Sequence, residues 1–248
     1  MITLSNISKT FNKNQATAVL ALSNVSLTIN NKDYLVIVGS NGSGKSTLLN
    51  AIAGSFLVDE GSIVIDGNDV TKLQDYERAK WLSRVFQNPL QGTAPELSII
   101  DNFRLAALRT QSKSITIGTS TNFINTIKDN IAILDMGLEN KINQPVGSLS
   151  GGQRQALTLL MSVMDNSKIL LLDEPTAALD PKSAATVMHT AQTLITQLQL
   201  TAILVTHNLK EATQYGNRII QMQEGTIIKD VNATQKIQLQ STDVFGWF

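Results

Sequence analysis

The chain has 248 residues, a length that fits one large α/β domain as well as two small ones. Its 20 Lys and Arg residues balance 20 Asp and Glu residues, which rules out a basic nucleic-acid coat or an acidic tail on bulk charge alone. The sequence lacks cysteine, so disulfide scaffolds, thiolate metal sites and cysteine nucleophiles are excluded, and two histidines argue against a zinc enzyme.

The longest apolar runs are too short for a membrane span. Residues 35–38 and 169–172 are runs of aliphatic residues, whereas a helix that crosses a bilayer needs about 18 or more apolar residues. The first six residues show no basic segment followed by an apolar core and a cleavage site. We therefore expect a cytosolic protein that does not itself span a membrane.

The first part of the chain predicts antiparallel strands followed by an α/β unit. Apolar and polar residues alternate around residues 2–4 and 25–29, which is the period of half-buried strands. From Tyr34 a continuous apolar run leads into a glycine-rich loop and then into the apolar segment 48–53. This succession predicts a buried strand, a turn and a helix.

Residues 88–165 predict a mostly helical insertion. Ile99, Phe103 and Ala107 share one helical face, and apolar residues recur at helical spacing between Ile124 and Leu134. The Ser-, Thr- and Gly-rich stretch 111–121 predicts the loop between these helices.

The remainder returns to alternating strands and helices. Residues 169–172 and 201–206 predict buried strands, and residues 184–198 predict an amphipathic helix between them. This order favours a parallel sheet with both faces covered. Residues 218–222 and 226–231 predict a hairpin around Glu224 and Gly225.

One glycine-rich segment has the pattern of a phosphate-binding loop. It lies between the predicted strand and helix, where the glycines let backbone N–H groups wrap an anion at the positive end of the helix. Lys45 would neutralise the β- and γ-phosphates, and Ser46 would ligate Mg²⁺. The alternative is a glycine turn with a chance Lys-Ser pair. The predicted nucleotide contacts are Gly39, Ser40, Asn41, Gly42, Ser43, Gly44, Lys45, Ser46 and Thr47.

Two adjacent carboxylates follow the second buried strand. Asp173 and Glu174 fall where that strand reaches the carboxyl edge of the sheet. Asp173 is placed to hold Mg²⁺ through its water shell, and Glu174 to orient or deprotonate the water that attacks the γ-phosphorus. By themselves, two acids after an apolar strand are equally an ordinary start of a loop.

A second helix start is suited to phosphate. In the heptapeptide Leu-Ser-Gly-Gly-Gln-Arg-Gln of residues 149–155, Ser150 can cap a helix while Gly151 and Gly152 leave amides open at its positive end. The simpler interpretation is a capped helix after a Ser-Gly loop.

In chain order, the glycine-rich loop, the heptapeptide and the paired acids after an apolar strand together resemble the ATP-binding cassette (ABC) ATPases. The resemblance implies an α/β P-loop NTPase fold, with a RecA-like mixed sheet core, an N-terminal antiparallel β subdomain and an inserted helical subdomain. It implies ATP and Mg²⁺ as cofactors, with ATP hydrolysed to ADP and phosphate. It also implies one nucleotide-binding domain over residues 1–231, in which 1–87 and 166–231 form the ATP-binding core and 88–165 the helical subdomain, and a C-terminal tail over 232–248.

The resemblance extends to single residues. Gln87 matches the glutamine that contacts Mg²⁺ and water at the hinge to the helical subdomain, and His207 matches the histidine that contacts the γ-phosphate. Asp180 matches the loop that crosses the dimer interface, Phe11 the aromatic residue that stacks on adenine, and Gln153 the signature glutamine. The alternatives are a polar group at a strand end for Gln87, a helix cap for His207, a turn before Pro181 for Asp180 and a core position for Phe11.

The family works as a head-to-tail dimer in which two chains share each ATP, and this resemblance implies a homodimer attached to integral-membrane permease subunits. Residues 84–95, 155–161 and 206–208 are similar to the ATPase subunits of bacterial tryptophan/tyrosine uptake systems. The segment before the signature lacks the Glu-Arg-Gly element of exporter subunits, which favours import of a small solute such as an amino acid.

An importer subunit would act at the cytoplasmic face of the cell membrane, held there by the permease, with a solute-binding protein as an indirect partner and without nucleic acid. Residues 88–110 are the expected permease contact. Two alternatives remain: a soluble ABC ATPase of translation or DNA repair, and another P-loop enzyme such as a kinase or GTPase. The aromatic end of the tail either packs back on the body or forms an interface.

Overall fold

The computed structural model of the chain describes residues 1–108, 120–165, 167–239 and 241–247. Within these ranges the strands form two sheets. The strands are β1 Ile2–Phe11, β2 Val19–Ile29, β3 Tyr34–Val38, β4 Glu60–Ile65, β5 Asn68–Asp69, β6 Leu82–Val85, β7 Ile169–Asp173, β8 Thr201–Val205, β9 Arg218–Gln223 and β10 Thr226–Val231.

The smaller sheet is antiparallel, with the strand order β2-β1-β4-β5. The larger sheet has the order β10-β9-β3-β8-β7-β6, and all of its neighbours pair in parallel except β9 with β10. The predicted antiparallel start, parallel sheet and closing hairpin are therefore confirmed. Glu224 and Gly225, which connect β9 and β10, both have positive φ, as a tight hairpin turn requires.

The described helices lie mainly between the strands of the larger sheet and in the segment between β6 and β7. They are α1 Lys45–Ala53, α2 Asp75–Arg78, α3 Ile99–Ala107, α4 Thr121–Ala132, α5 Gly151–Ser162, α6 Pro181–Gln197, α7 Leu209–Gln214, α8 Ala233–Lys236 and α9 Ser241–Phe245. None of them is long and apolar enough to span a bilayer.

Both faces of the larger sheet are covered, and alternate residues of each central strand enter different cores. Val36 and Val38 of β3 pack in the core that contains the helical segment, whereas Leu35 and Ile37 pack in the core formed by α1 and the antiparallel sheet. Because both faces of β3 are buried, residues 35–38 are apolar at every position and not only at alternate positions.

Helix α1 is held at its C-terminal end by a residue that the sequence patterns do not reveal. The guanidinium of Arg78 is fully buried, and its Nη1 donates to the carbonyls of Ala51 (2.7 Å) and Ile52 (2.9 Å). Burial lowers the pKa of Arg78 to about 10, so the group still carries the positive charge that the negative end of a helix favours at neutral pH. Arg78 thus fixes the helix that carries Lys45.

Some helix boundaries differ from the sequence expectation. Asp180 caps α6, so this helix begins at residue 181 and not near 184. Ser150 caps α5, as predicted, and this helix runs from residue 151 to residue 162. Of the loop predicted over 111–121, residues 111–119 lie outside the described residues, while Ser120 caps α4 and Thr121 is already helical.

The C-terminal tail packs against the body, the first of the two outcomes considered. Val244 and Trp247 are buried in the core that contains the helical segment. Lys229 of β10 places its ammonium 4.4 Å from the centroid of the Trp247 ring. The aromatic residue Phe245 remains exposed, and Phe248 lies outside the described residues.

Candidate nucleotide-binding site

The glycine-rich loop follows β3 and leads directly into α1, as expected. Gly39 and Gly44 have φ values of 144° and 98°, in the region that only glycine enters freely. A Cβ atom at Gly39 would lie 2.2 Å from the carbonyl oxygen of Met222, and one at Gly44 would lie 2.6 Å from that of Ala21. Close backbone packing on the outside of the loop therefore requires both glycines.

Lys45 lies inside the loop with its ammonium group already oriented. The side chain is almost completely buried, and Nζ donates to the carbonyl oxygens of Gly39 (2.8 Å) and Ser40 (2.9 Å). Burial lowers the pKa of Lys45 below its ordinary value, and the Glu174 carboxylate offsets part of that shift. The loop thus surrounds one fixed cation.

The start of α1 is suited to an anion. Gly44 occupies the N-cap position without a side chain to accept from the helix amides, and the first turn contains no acidic residue. The hydroxyl of Ser43 in the same loop is buried without a hydrogen-bond partner among the described residues. Unpaired donors at a positive helix end beside a lysine form an arrangement that fits a phosphate group.

Asp173, the last residue of β7, lies beside Ser46 at the start of α1. The Ser46 hydroxyl donates to Oδ1 of Asp173 over 3.3 Å, and Oδ2 pairs with Nη2 of Arg84 at 2.6 Å. The described residues contain no group of three or more His, Cys, Asp or Glu side chains that could hold a metal by itself. One carboxylate and one hydroxyl beside a phosphate loop nevertheless fit Mg²⁺, which usually binds through one or two carboxylates together with substrate phosphates.

Three residues predicted to be catalytic meet at the carboxylate of Glu174. Gln87 Nε2 donates to Oε2 of Glu174 over 3.1 Å, and His207 Nδ1 lies 3.1 Å from the same oxygen. The Glu174 backbone has φ 43°, and its N–H donates to the carbonyl oxygen of Val205 at the end of β8 (3.0 Å). The three residues follow β6, β7 and β8, so the parallel sheet brings their side chains together.

Glu211 supports two of these loops, although sequence reasoning did not single it out. Its buried carboxylate accepts hydrogen bonds from the hydroxyls of Thr176 and Thr206, each at 2.5 Å. Thr176 follows Glu174 and Thr206 precedes His207. Glu211 therefore links the segments that carry the candidate general base and the candidate histidine. In the sequence, Glu211 is a charged residue four positions after His207 in a segment with helical spacing. Nothing in that pattern indicates that its carboxylate contacts the two threonines.

The signature segment is a capped helix start, as predicted. Ser150 Oγ accepts from the N–H of Gln153 (3.3 Å), and the Gln153 side chain accepts from the N–H of Ser150 (3.2 Å). Within the described ranges, no hydrogen bond or ion pair joins residues 150–153 to residues 39–47. The chain therefore gathers one part of the predicted phosphate site around Lys45 and leaves the signature segment outside it.

Asp180 and Phe11 also lie outside this cluster of contacts. Asp180 caps α6 by accepting from the N–H groups of Lys182 and Ser183, both at 3.1 Å. Hydrogen bonding by Ser183 holds the pKa of the Asp180 carboxyl below its ordinary value. Phe11, at the end of β1, remains partly exposed and meets Phe56 edge to face, with ring centroids 5.2 Å apart. An exposed ring face is what stacking on a base requires.

The comparisons with known proteins agree on one family. Residues 22–177 match the family model described as ABC transporter. A tyrosine transport ATP-binding protein of Clostridioides difficile is 36% identical over 100% of this chain and 98% of its own length. A phosphonates import ATP-binding protein of Lactobacillus delbrueckii is 30% identical over 93% of this chain and 89% of its own length.

A solved structure supports the same family. The dimeric post-hydrolysis state of an ATP-binding cassette bound to ADP and Pi is similar to this chain with a TM-score of 0.81 and 28% identity, covering 94% of this chain and 99% of that one. The chain belongs to the ABC transporter family and is an ATPase with the cassette fold. The fold class expected from the sequence is thereby confirmed, while the domain boundaries and the roles of single site residues remain predictions.

The packing of α5 on α6 predicts a specific sensitivity at the signature segment. A Cβ atom on Gly152 would lie 2.5 Å from Cβ of Ser183, whereas one on Gly151 would lie 3.4 Å from Leu179. Gly152→Ala should therefore lower the free energy of unfolding by roughly 1–3 kcal/mol, and Gly151→Ala should change it little. Urea unfolding of the two variants measures the difference.

A double variant separates this steric contact from other effects. Ser183→Gly removes the clashing Cβ, so Gly152→Ala should cost less stability in that background than in the native one. Equal stability of the Gly151→Ala and Gly152→Ala chains would show that the two helices do not approach as closely as described.

Proposed function

We propose that the chain is the ATP-hydrolysing subunit of an ABC importer for a small solute such as an amino acid, and that it works as a head-to-tail homodimer. The observation that carries the proposal is the convergence of Gln87 and His207 on Glu174, beside a phosphate loop that encloses Lys45. This arrangement supports a hydrolytic role, because it combines a cation that can bind phosphate with a carboxylate that can accept a proton from water.

The chemistry follows from the positions of these groups. Lys45 and the amides of residues 39–47 would bind the β- and γ-phosphates. Ser46 and Asp173, with Gln87, would hold Mg²⁺, which when bound contributes positive charge against the phosphate oxygens. Glu174 would accept a proton from the attacking water. His207, which lies at the same Glu174 oxygen as Gln87, would hold Glu174 in place and contact the γ-phosphate.

A second copy would complete the site. Among the described residues, the signature helix start has no hydrogen bond or ion pair to the phosphate loop of its own chain. It nevertheless has the open glycine amides and the positive end that bind phosphate. Closing two chains head to tail would bring Ser150, Gly151 and Gly152 of one onto the γ-phosphate held by the other. The similar cassette structure is itself dimeric. Hydrolysis would then remove the group that both chains hold and let them separate.

The importer assignment rests on the relatives. The similar proteins are named for transport of tyrosine and import of phosphonates, and the first of these is 36% identical over the whole chain. An amino acid is therefore the favoured class of solute. The chain would bind permease subunits at the cytoplasmic face of the membrane, and a solute-binding protein would act on the other side.

A surface pocket beside the candidate hinge suits such a permease contact. Its volume is about 360 Å³, and Leu105, Gly92 and Thr158 form part of its wall together with Phe86, the neighbour of Gln87. Gln155 of α5 donates to the carbonyl oxygen of Phe86 over 3.0 Å. A short permease helix seated here would act directly on the backbone next to Gln87. Gly92 and Leu105 lie within residues 88–110, the expected permease contact, whereas Phe86 and Thr158 lie outside that range.

We predict that Glu174→Gln keeps ATP binding but reduces turnover by roughly 100-fold or more, because the amide cannot accept the proton of the attacking water. The unhydrolysed nucleotide should then hold two chains together. Phosphate release and size-exclusion chromatography with ATP measure both effects. Undiminished hydrolysis would remove Glu174 from the role of general base.

Lys45→Ala is the matched variant, because it removes phosphate binding and leaves the carboxylate cluster intact. This chain should lose ATP affinity and show no ATP-dependent dimer. An affinity equal to that of the native protein would contradict the assignment of the loop as the phosphate site.

A substitution in the pocket wall tests whether this surface binds the permease. Leu105→Arg should abolish co-purification with a membrane-embedded partner while leaving basal ATPase activity unchanged, because it places a charge in the pocket wall. Leu198→Arg at the end of α6 is the control, since the two leucines are similarly exposed (52% and 50%). Co-purification with ribosomes or DNA and not with a membrane protein would favour the soluble alternative.

A further inference from the structure

Arg84 contacts the candidate metal carboxylate and also lines the surface pocket. It lies near the end of β6, directly before the hinge, and the salt bridge of its Nη2 to Oδ2 of Asp173 is 2.6 Å long. Both side chains are largely buried, with exposures of 14% and 12%. This pair is thus shielded from solvent far more than an ordinary surface salt bridge.

The two oxygens of Asp173 have different partners. Oδ1 accepts from the Ser46 hydroxyl at 3.3 Å, on the side of the phosphate loop, and Oδ2 faces the guanidinium. A metal ion shared by Ser46 and Asp173 would use Oδ1. The Arg84 cation therefore occupies the side of the carboxylate that the metal does not need.

The guanidinium of Arg84 also contacts residues other than Asp173. Nη1 donates to Ser55 Oγ over 3.3 Å, and the Arg84 Cζ atom lies 4.6 Å from the centroid of the Phe86 ring. Nε is buried without a hydrogen-bond partner among the described residues. These contacts hold a positive charge next to Asp173 although one donor of the guanidinium stays unsatisfied.

We infer that Arg84 is a built-in counter-ion of Asp173: it positions the carboxylate towards Ser46 and neutralises it, so that ATP phosphates can bind before or without the full charge of Mg²⁺. Without Arg84, the ionised Asp173 would repel the phosphates, and binding would depend more strongly on the metal. The inference rests on the proposed Mg²⁺ and ATP site and adds to it a positioning residue that acts through Asp173.

The test compares nucleotide binding with and without the metal on the full chain. A fluorescent, non-hydrolysable ATP analogue is titrated in EDTA and again in saturating Mg²⁺. Arg84→Gln should weaken binding in EDTA by roughly three- to tenfold, and Mg²⁺ should restore most of the loss. The ratio of the affinities with and without Mg²⁺ should therefore rise by the same factor.

Two further variants separate charge from structure. Arg84→Lys keeps the charge and should keep the native ratio within about twofold. Lys80→Gln is the control, because this lysine also stacks on an aromatic ring, 4.0 Å from the Trp81 centroid, and has no contact with Asp173 among the described residues; it should leave the ratio unchanged. Thermal unfolding confirms that each variant is folded.

A pair of variants that both carry Asp173→Asn keeps the test valid even if the single Arg84→Gln chain does not fold. With Asp173→Asn, Arg84 becomes an unpaired cation near the phosphates, so this variant should bind the analogue in EDTA more tightly than the double variant Arg84→Gln with Asp173→Asn. An unchanged ratio in folded Arg84→Gln, or equal binding by the two Asp173→Asn chains, would overturn the inference. If the native protein shows no Mg²⁺ effect at all, the proposed metal site fails instead.

Discussion

The site depends on the register of four parallel strands. Val85 of β6 lies opposite Leu172 of β7, Asp173 lies opposite Val205 of β8, and Val205 lies opposite Ile37 of β3. The chain thus leaves each strand at nearly the same level, and the loops that begin there meet at one edge of the sheet. A slip of one residue would turn the side chains of a strand to the opposite face and separate the carboxylates from Lys45.

The charged groups at this edge of the sheet have partners within the chain. Lys45 is retained by two carbonyl groups, Asp173 by a hydroxyl and Arg84, and Glu174 by Gln87 and His207. Each ionic group therefore has a partner before a nucleotide binds, which reduces the cost of burying it. The N-terminus of the helix capped by Ser150, in contrast, lies outside this cluster. We propose that one chain forms one half of a shared site and that a second chain supplies the other half.

The sequence predicted the elements and residue types that follow local rules. The phosphate loop, the paired acids after an apolar strand and the capped signature helix each combine a backbone requirement with a side-chain chemistry, and all three lie where they were expected. Contacts between distant segments were not predictable in this way. Arg78, Arg84 and Glu211 are charged residues whose partners lie in other elements, and no periodicity distinguishes a buried charged residue from a solvated one.

The shared site can be tested most directly by mixing two inactive chains. One carries Lys45→Ala, and the other carries Gly151→Asp, which places a carboxylate at the signature helix start. If each ATP lies between the loop of one chain and the signature of the other, a mixed dimer contains one site with both defects and one intact site, so the mixture should recover part of the native ATPase activity. If each chain forms its site alone, both sites stay defective. A mixture as inactive as its two components, with mixed dimers demonstrated, would contradict the account.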